Sequence, residues 1–234
     1  MRIWDINPGY LNRNSLLGEH RELHGIVSII LNRKKGYSNH PETVRWVGYG
    51  WALRQRHRLL ASEMSLRGFT DRTPLVTRAK KGLWPETFID EPFRQFQILE
   101  TKYRNKEQGR VPLPKSAQQL WSHHKYSVLA RDVNLYRKLG RDISGMKHHH
   151  DFSELAKVVT ELLRQPPPIG GLRNALQHMW GHVSDCPSTP TGEIKSWSLS
   201  RLLEEIQLRS RASENPYITS STALSELKVW IPNT

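Results

Sequence analysis

Asn14-Ser-Leu-Leu-Gly-Glu-His-Arg-Glu-Leu-His-Gly-Ile-Val-Ser-Ile-Ile-Leu-Asn-Arg33 sets apolar side chains at 16, 23, 27 and 30. That spacing follows one face of a 3.6-residue helix. The same pattern repeats outward. Pro41 suits a first helical turn and opens a periodic run over residues 41–66, which Gly68 ends. Another helix is predicted over 93–106. Beyond it, helices are predicted over 116–131 and 133–143, either separate or as one kinked helix, and over 172–183, 193–211 and 220–229. Asp151-Phe-Ser-Glu154 reads as a capping box ahead of a helix to Leu163. No strand-like alternation is sustained, so the predicted class is all-α.

Breaks in the pattern divide the chain. Gly109-Arg-Val-Pro-Leu-Pro114 holds two prolines that stop a helix and favour an extended connector. It separates two predicted helical domains, 1–112 and 113–234, joined by a Pro-rich linker. Residues 165–171 (Gln-Pro-Pro-Pro-Ile-Gly-Gly) and 185–192 read as loops within the second. No internal repeat is visible.

Composition narrows the function classes. No apolar run approaches the ~20 residues of a membrane span. Asp5, Pro8 and Glu19 interrupt any signal or transit segment. The single cysteine, Cys186, excludes an internal disulfide framework and points to the cytoplasm. Lys and Arg number 35 against 22 Asp and Glu, a net charge of +13. Such a surplus suits a polyanion, because neutralised phosphates release counterions. Residues 1–112 hold 20 basic and 11 acidic side chains, leaving +9 of the +13 in the first half. The main phosphate-binding unit is therefore expected there. The eight tryptophans supply rings that stack on bases, though most are expected in the core.

Within the opening helix, Gly18, Glu22 and Gly25 fall at i, i+4 and i+7, on one face. Each glycine costs a helix about 1 kcal/mol relative to alanine. Two of them flanking a carboxylate imply either tight helix packing or close approach of another molecule.

The run Leu-Leu-Gly-Glu-His-Arg-Glu-Leu (16–23) resembles the motif of the phage endonuclease V family of pyrimidine-dimer DNA glycosylases. Residues 53–69, from Leu53-Arg-Gln-Arg-His to Leu66-Arg-Gly-Phe69, are similar to that family's second helix and its ending. Residues 93–109 match its third, so the likeness covers residues 1 to about 110. It implies an α-amine at the chain start that attacks C1′ of the dimer's 5′ nucleotide. An imine with the sugar follows, and β-elimination nicks the strand.

Arg2 matches the family's second-position arginine, which puts Met1 in the nucleophile's place, and a bulky Arg2 is expected to block methionine removal. An α-amine titrates at about 7.7–8.0 against about 10.4 for a lysine, so roughly a third is neutral at pH 7.5. Glu22 resembles the catalytic carboxylate, expected to stabilise the developing sugar cation and to move protons. The expected catalytic pair is Met1 and Glu22. The expected DNA-binding set is Arg2, His20, Arg21, Arg45 and Arg54, with damaged double-stranded DNA as partner and a base extruded on binding. Ser15 and His20 replace a family histidine and tyrosine, and Gly25 stands where a third DNA-contacting arginine is expected. The family's aromatic-rich C-terminal segment has no counterpart.

Residues 116–231 resemble a second family, the YbgA-like domain of bacterial proteins. His124-Lys-Tyr126, Tyr136-Arg-Lys-Leu-Gly140 and Asn174-Ala-Leu-Gln-His-Met-Trp-Gly181 carry the likeness. The domain occurs fused to a desulfidase acting on thiolated RNA bases, which implies a nucleic-acid role and RNA as a second partner. Lys125, Arg131, Arg137, Lys138 and Arg141 recur along its helices, facing either phosphate or solvent. Tyr126, Tyr136 and Trp180 read as core before stacking platforms. Adjacent histidines, as in His148-His149-His150 or His123-His124, do not share a helix face, so no metal ligands and no cofactor are expected. The alternative to an enzyme is a non-catalytic DNA- or RNA-binding adaptor.

Overall fold

The computed structural model describes residues 1–145, 151–184, 193–212 and 216–232. His148-His149-His150, Cys186 and the 185–192 loop lie outside them. Among the described residues there is no strand, and no helix is long and apolar enough to cross a membrane. The all-α class stands. The chain forms two compact units, Met1–Gly109 and Arg110–Thr234.

The first unit runs from a 3₁₀ turn (Pro8–Tyr10) through α1 (Arg13–Leu31), α2 (Pro41–Trp46), α3 (Gly50–Leu66) and α4 (Pro92–Lys102). Asn12 caps α1 by accepting from Ser15 N at 2.9 Å. Leu16, Glu19, Leu23, Ile26 and Val27 form the buried stripe of α1, which packs on α3 and α2. The run predicted over 41–66 is interrupted: Val47 is extended and Gly48 adopts φ +87°, a conformation costly for any side chain. α3 ends at Gly68 (φ +82°), where Gly68 N donates to Ser65 O and Phe69 N to Met64 O. This double bond pattern is a Schellman motif. Gly109 lies against the Pro8–Tyr10 turn, where a Cβ would come within 2.5 Å of Gly9 O and Tyr10 O.

The second unit is built around α5 (Ala117–Leu129), which packs on α6 (Val133–Ser144), α7 (Ser153–Leu163) and α8 (Ile169–Trp180). α9 (Leu199–Ala212), α10 (Pro216–Thr219) and α11 (Ala223–Glu226) complete it. Asp132, itself extended, caps α6, so 116–143 is two helices. α7 starts one residue later than the predicted capping box implies. Asp151 accepts from Ser153 N, and Phe152 takes the cap position. α8 begins at Ile169, inside the stretch read as a loop, because Pro168 serves as its cap and the prolines stop short of it. Gly171 in its first turn has Ala130 O where a Cβ would sit, at 2.0 Å, which explains a glycine in a helix. The predicted extended connector is packed down at its start: Val111 is fully buried, and Arg110 donates to the carbonyls of Thr219 and Ser221.

Two histidines sit in this second core. His124 Nδ1 lies 3.2 Å from Thr222 Oγ1, and the His123 carbonyl accepts from Thr222 N and Oγ1. Burial pushes His123 down to about 4 and His124 to about 3, from an ordinary 6.5. Below pH 6.5 the unfolded chain therefore binds protons that the folded core refuses. Stability falls as pH drops from 6.5 toward 4, by about 1.4 kcal/mol per unit for each imidazole. The urea midpoint of the full chain is expected to fall between pH 7 and 5. His123→Gln is expected to shrink that fall; an unchanged pH dependence in this variant contradicts the assignment.

Candidate active site

Residues 2–6 are irregular, with a bend at Asp5–Ile6, so their backbone N–H groups have no helical partners. Side-chain acceptors from three helices take them instead. Arg2 N donates to Glu22 Oε2, Ile3 N to Glu42 Oε1 (3.2 Å) and Trp4 N to Glu19 Oε1 (3.2 Å). Asp5 N donates to Gln95 Oε1 (2.8 Å). Ile3, Trp4 and Ile6 are buried beneath. The first residue is thus held from both sides, by apolar anchors and by charge-assisted hydrogen bonds. Covalent geometry alone keeps the Met1 nitrogen within about 7 Å of the Glu22 carboxylate.

The acceptors are themselves fixed. Glu19 is fully buried and pairs bidentately with Arg56, Oε1 to Nε at 2.6 Å and Oε2 to Nη2 at 2.8 Å. Arg56 Nη1 donates to Ile6 O, closing the loop onto the same segment. Burial raises the Glu19 carboxyl above its ordinary value, opposed first by Arg56 and then by Trp4 N–H. Burial likewise raises Glu42, opposed by Arg45 and Ile3 N–H. Sequence periodicity passed over Glu19, Glu42 and Arg56. A carboxylate at a core position of the α1 stripe was the available signal.

Gly18, Arg21, Glu22 and Gly25 share one face of α1. A Cβ on Gly18 or Gly25 would meet nothing within 4 Å, so helix packing accounts for neither glycine. With no side chain at either glycine, the α1 backbone on both sides of the carboxylate is left uncovered, a shallow recess in this sense only. Arg21 is exposed beside it. Arg2 Nη1 pairs with Asp90 Oδ2 at 2.7 Å, and its guanidinium lies 4.3 Å over the Trp4 ring, half-exposed.

The other expected DNA contacts sit elsewhere. Arg45 is only 4% exposed, pairing with Asp5 and donating to Thr87 O. Arg54 is half-buried and donates to Thr77 Oγ1 at 2.8 Å. His20 turns away from the recess toward His24, His57 and Asp71. Burial pushes His57 down to about 4 and lowers His24 as well. Burial opposes ionisation of Asp71, but hydrogen bonds from Thr73 and the imidazoles outweigh it and lower its pKa. The clue in the sequence was the i, i+4 pair His20 and His24.

In the second unit, Arg131 is nearly buried. It pairs with Glu226 at 2.6 Å and donates to the Leu163 and Gln165 carbonyls, so it holds the core together. Lys125 lies over the Tyr217 and Tyr126 rings, and burial lowers its pKa. Tyr126 and Trp180 are core residues. Arg137, Lys138 and Arg141 on α6 are exposed, and two of them line an open groove of about 630 Å³ with Trp121 and Tyr136.

The first residues of this helical unit are thus fastened to carboxylates of α1 and α2, and one of those carboxylates, Glu22, lies beside an open helix face. Residues 1–77, which hold Met1, Glu22 and their supports Glu19, Glu42 and Arg56, match the family described as pyrimidine dimer DNA glycosylase. Residues 125–226 match the family described as protein of unknown function (DUF1722). These are the two segments in which the sequence resemblances were found. No curated protein and no solved structure matches the chain.

Proposed function

We propose that the chain is a DNA glycosylase with abasic-site lyase activity, acting on a pyrimidine dimer or a related damaged base. The Met1 α-amine is the nucleophile and Glu22 its carboxylate partner. One observation carries this reading: the hydrogen bond from Arg2 N to Glu22, which ties the start of the chain to an acid beside an open recess. The amine forms a bond to C1′ as the damaged base leaves with the glycosidic electrons. Loss of the nitrogen proton and opening of the sugar give the imine. Removal of a C2′ proton then expels the 3′ phosphate. Glu22 stabilises positive charge in the first step and carries protons in the later ones. Arg21 and Arg2 offer forked cations for the flanking phosphates. Arg45, enclosed with Asp5, keeps a supporting role, and His20 is reassigned below.

Borohydride trapping tests the proposal, on duplexes carrying a defined dimer or an abasic site. A covalent adduct is expected with a free Met1 amine, and none when residues are added before Met1. Absence of any adduct, with salt-sensitive binding retained, would leave the adaptor reading. The exposed α6 cations beside Trp121 and Tyr136 support nucleic-acid contact by the second unit, to DNA or RNA.

The recess gives a separate expectation. Gly25→Ala fills only solvent, so it should stabilise the protein by up to about 1 kcal/mol through helix propensity. The same methyl sits where DNA must approach, so binding measured by anisotropy should weaken several-fold. Tighter or unchanged binding would remove DNA from this face.

A further inference from the structure

We propose that His20, His24, His57 and Asp71 bind one Zn²⁺ ion in a tetrahedral site that ties α1, α3 and the segment after Gly68 together. α1 supplies His20 and His24 one turn apart on a single face. α3 supplies His57, and Asp71 follows the Gly68 turn. One ligand atom from each of the four residues lies within 4.8 Å of all the others. Three of the six separations are close to those a metal imposes. His24 Nε2 and His57 Nε2 are 3.1 Å apart, His20 Nε2 is 3.3 Å from Asp71 Oδ1, and His57 Nε2 is 3.4 Å from Asp71 Oδ2. Tetrahedral zinc with bonds of about 2.0–2.2 Å sets its ligands about 3.3–3.5 Å from one another.

Hydrogen bonding alone serves this cluster poorly. Three imidazole nitrogens face one another, and His20 Nε2 is buried without making any hydrogen bond. A shared cation takes all three lone pairs at once. Three nitrogens and one carboxylate suit zinc, and they exclude magnesium or calcium, which take oxygen shells. Thr73 orients the carboxylate, its N–H and hydroxyl both donating to Asp71 Oδ1 at 3.0 Å. Such outer contacts accompany bound metals. Glu22 lies about 200° round α1 from His20, so the ion stands apart from the carboxylate and acts on the fold.

The full chain, stripped with a chelator and dialysed, is titrated with Zn²⁺, and separately with Co²⁺ as a spectroscopic probe. One tight equivalent is expected, with the intense visible bands of tetrahedral cobalt. At a hundred times Kd, the melting temperature should rise by roughly 10 °C. His57→Ala and Asp71→Asn should each weaken binding, the histidine loss by at least about a hundredfold. Replacing His148, His149 and His150 with alanine should leave it intact. Asp71→Asn, a near-isosteric change on the segment after α3, keeps the test valid if His57→Ala fails to fold. Absence of Zn²⁺ binding at micromolar concentration overturns the proposal. So does binding that survives the His57 and Asp71 changes but vanishes with the His148–His150 run.

Discussion

Glu22→Gln is expected to slow adduct formation by about 10²–10⁴-fold while leaving duplex affinity nearly unchanged. Glutamine keeps an oxygen that accepts from Arg2 N, so the first residue stays in place. What disappears is the negative charge beside the forming sugar cation and the group that shuttles protons. Single-turnover trapping on an abasic duplex separates the two effects, because base loss no longer limits it. Binding is read in parallel at fixed salt. A Gln variant that reacts at the wild-type rate would reduce Glu22 to a tether. Glu22→Ala makes a useful contrast, since it removes tether and charge together.

The second large effect is on stability. Arg56→Ala leaves the Glu19 carboxylate buried with Trp4 N–H as its remaining hydrogen-bond donor on the segment. Breaking such a pair from one side costs about 3–5 kcal/mol. The cost depends on pH, with a definite sign. Burial already raises Glu19, and Arg56 is the chief opposing charge, so the variant's folded pKa rises further. A carboxyl raised on folding contributes stability below its unfolded value, and that contribution is lost as pH climbs through the folded one. The variant's loss relative to the wild-type chain should therefore be largest near neutral pH and shrink toward pH 5. Urea denaturation at both pH values checks this, and equal losses would mean that the pair's charge is immaterial. Activity should fall more than DNA binding, because Arg56 also fixes Ile6 O and hence the segment leading back to Met1.

Much of the fold was legible from residue pattern. Apolar spacing located α1, α4 and α5 to within a few residues, and Gly68 marks a helix end by local chemistry alone. The interruption at Val47–Gly48 escaped, because the apolar pattern continues across it while the backbone turns. The start of α8 escaped for the opposite reason. Two glycines next to prolines read as a loop, yet Gly171 is there to let Ala130 O come close.

The sequence by itself determined the helical class, the break near Gly109 and the cationic surplus, because each is local or additive along the chain. Tertiary structure alone decided which charges face solvent. Arg21 and Arg45 are equal cations in one dimension, but one lies on an open helix face and the other is enclosed with Asp5. It alone also gathered Glu19, Glu42 and Gln95 around residues 2–6, and His57 and Asp71 around the His20–His24 pair. Periodicity shows which residues share a helix face. It carries no record of which other helix that face meets, and desolvation, ion pairing and ligand geometry all depend on that meeting.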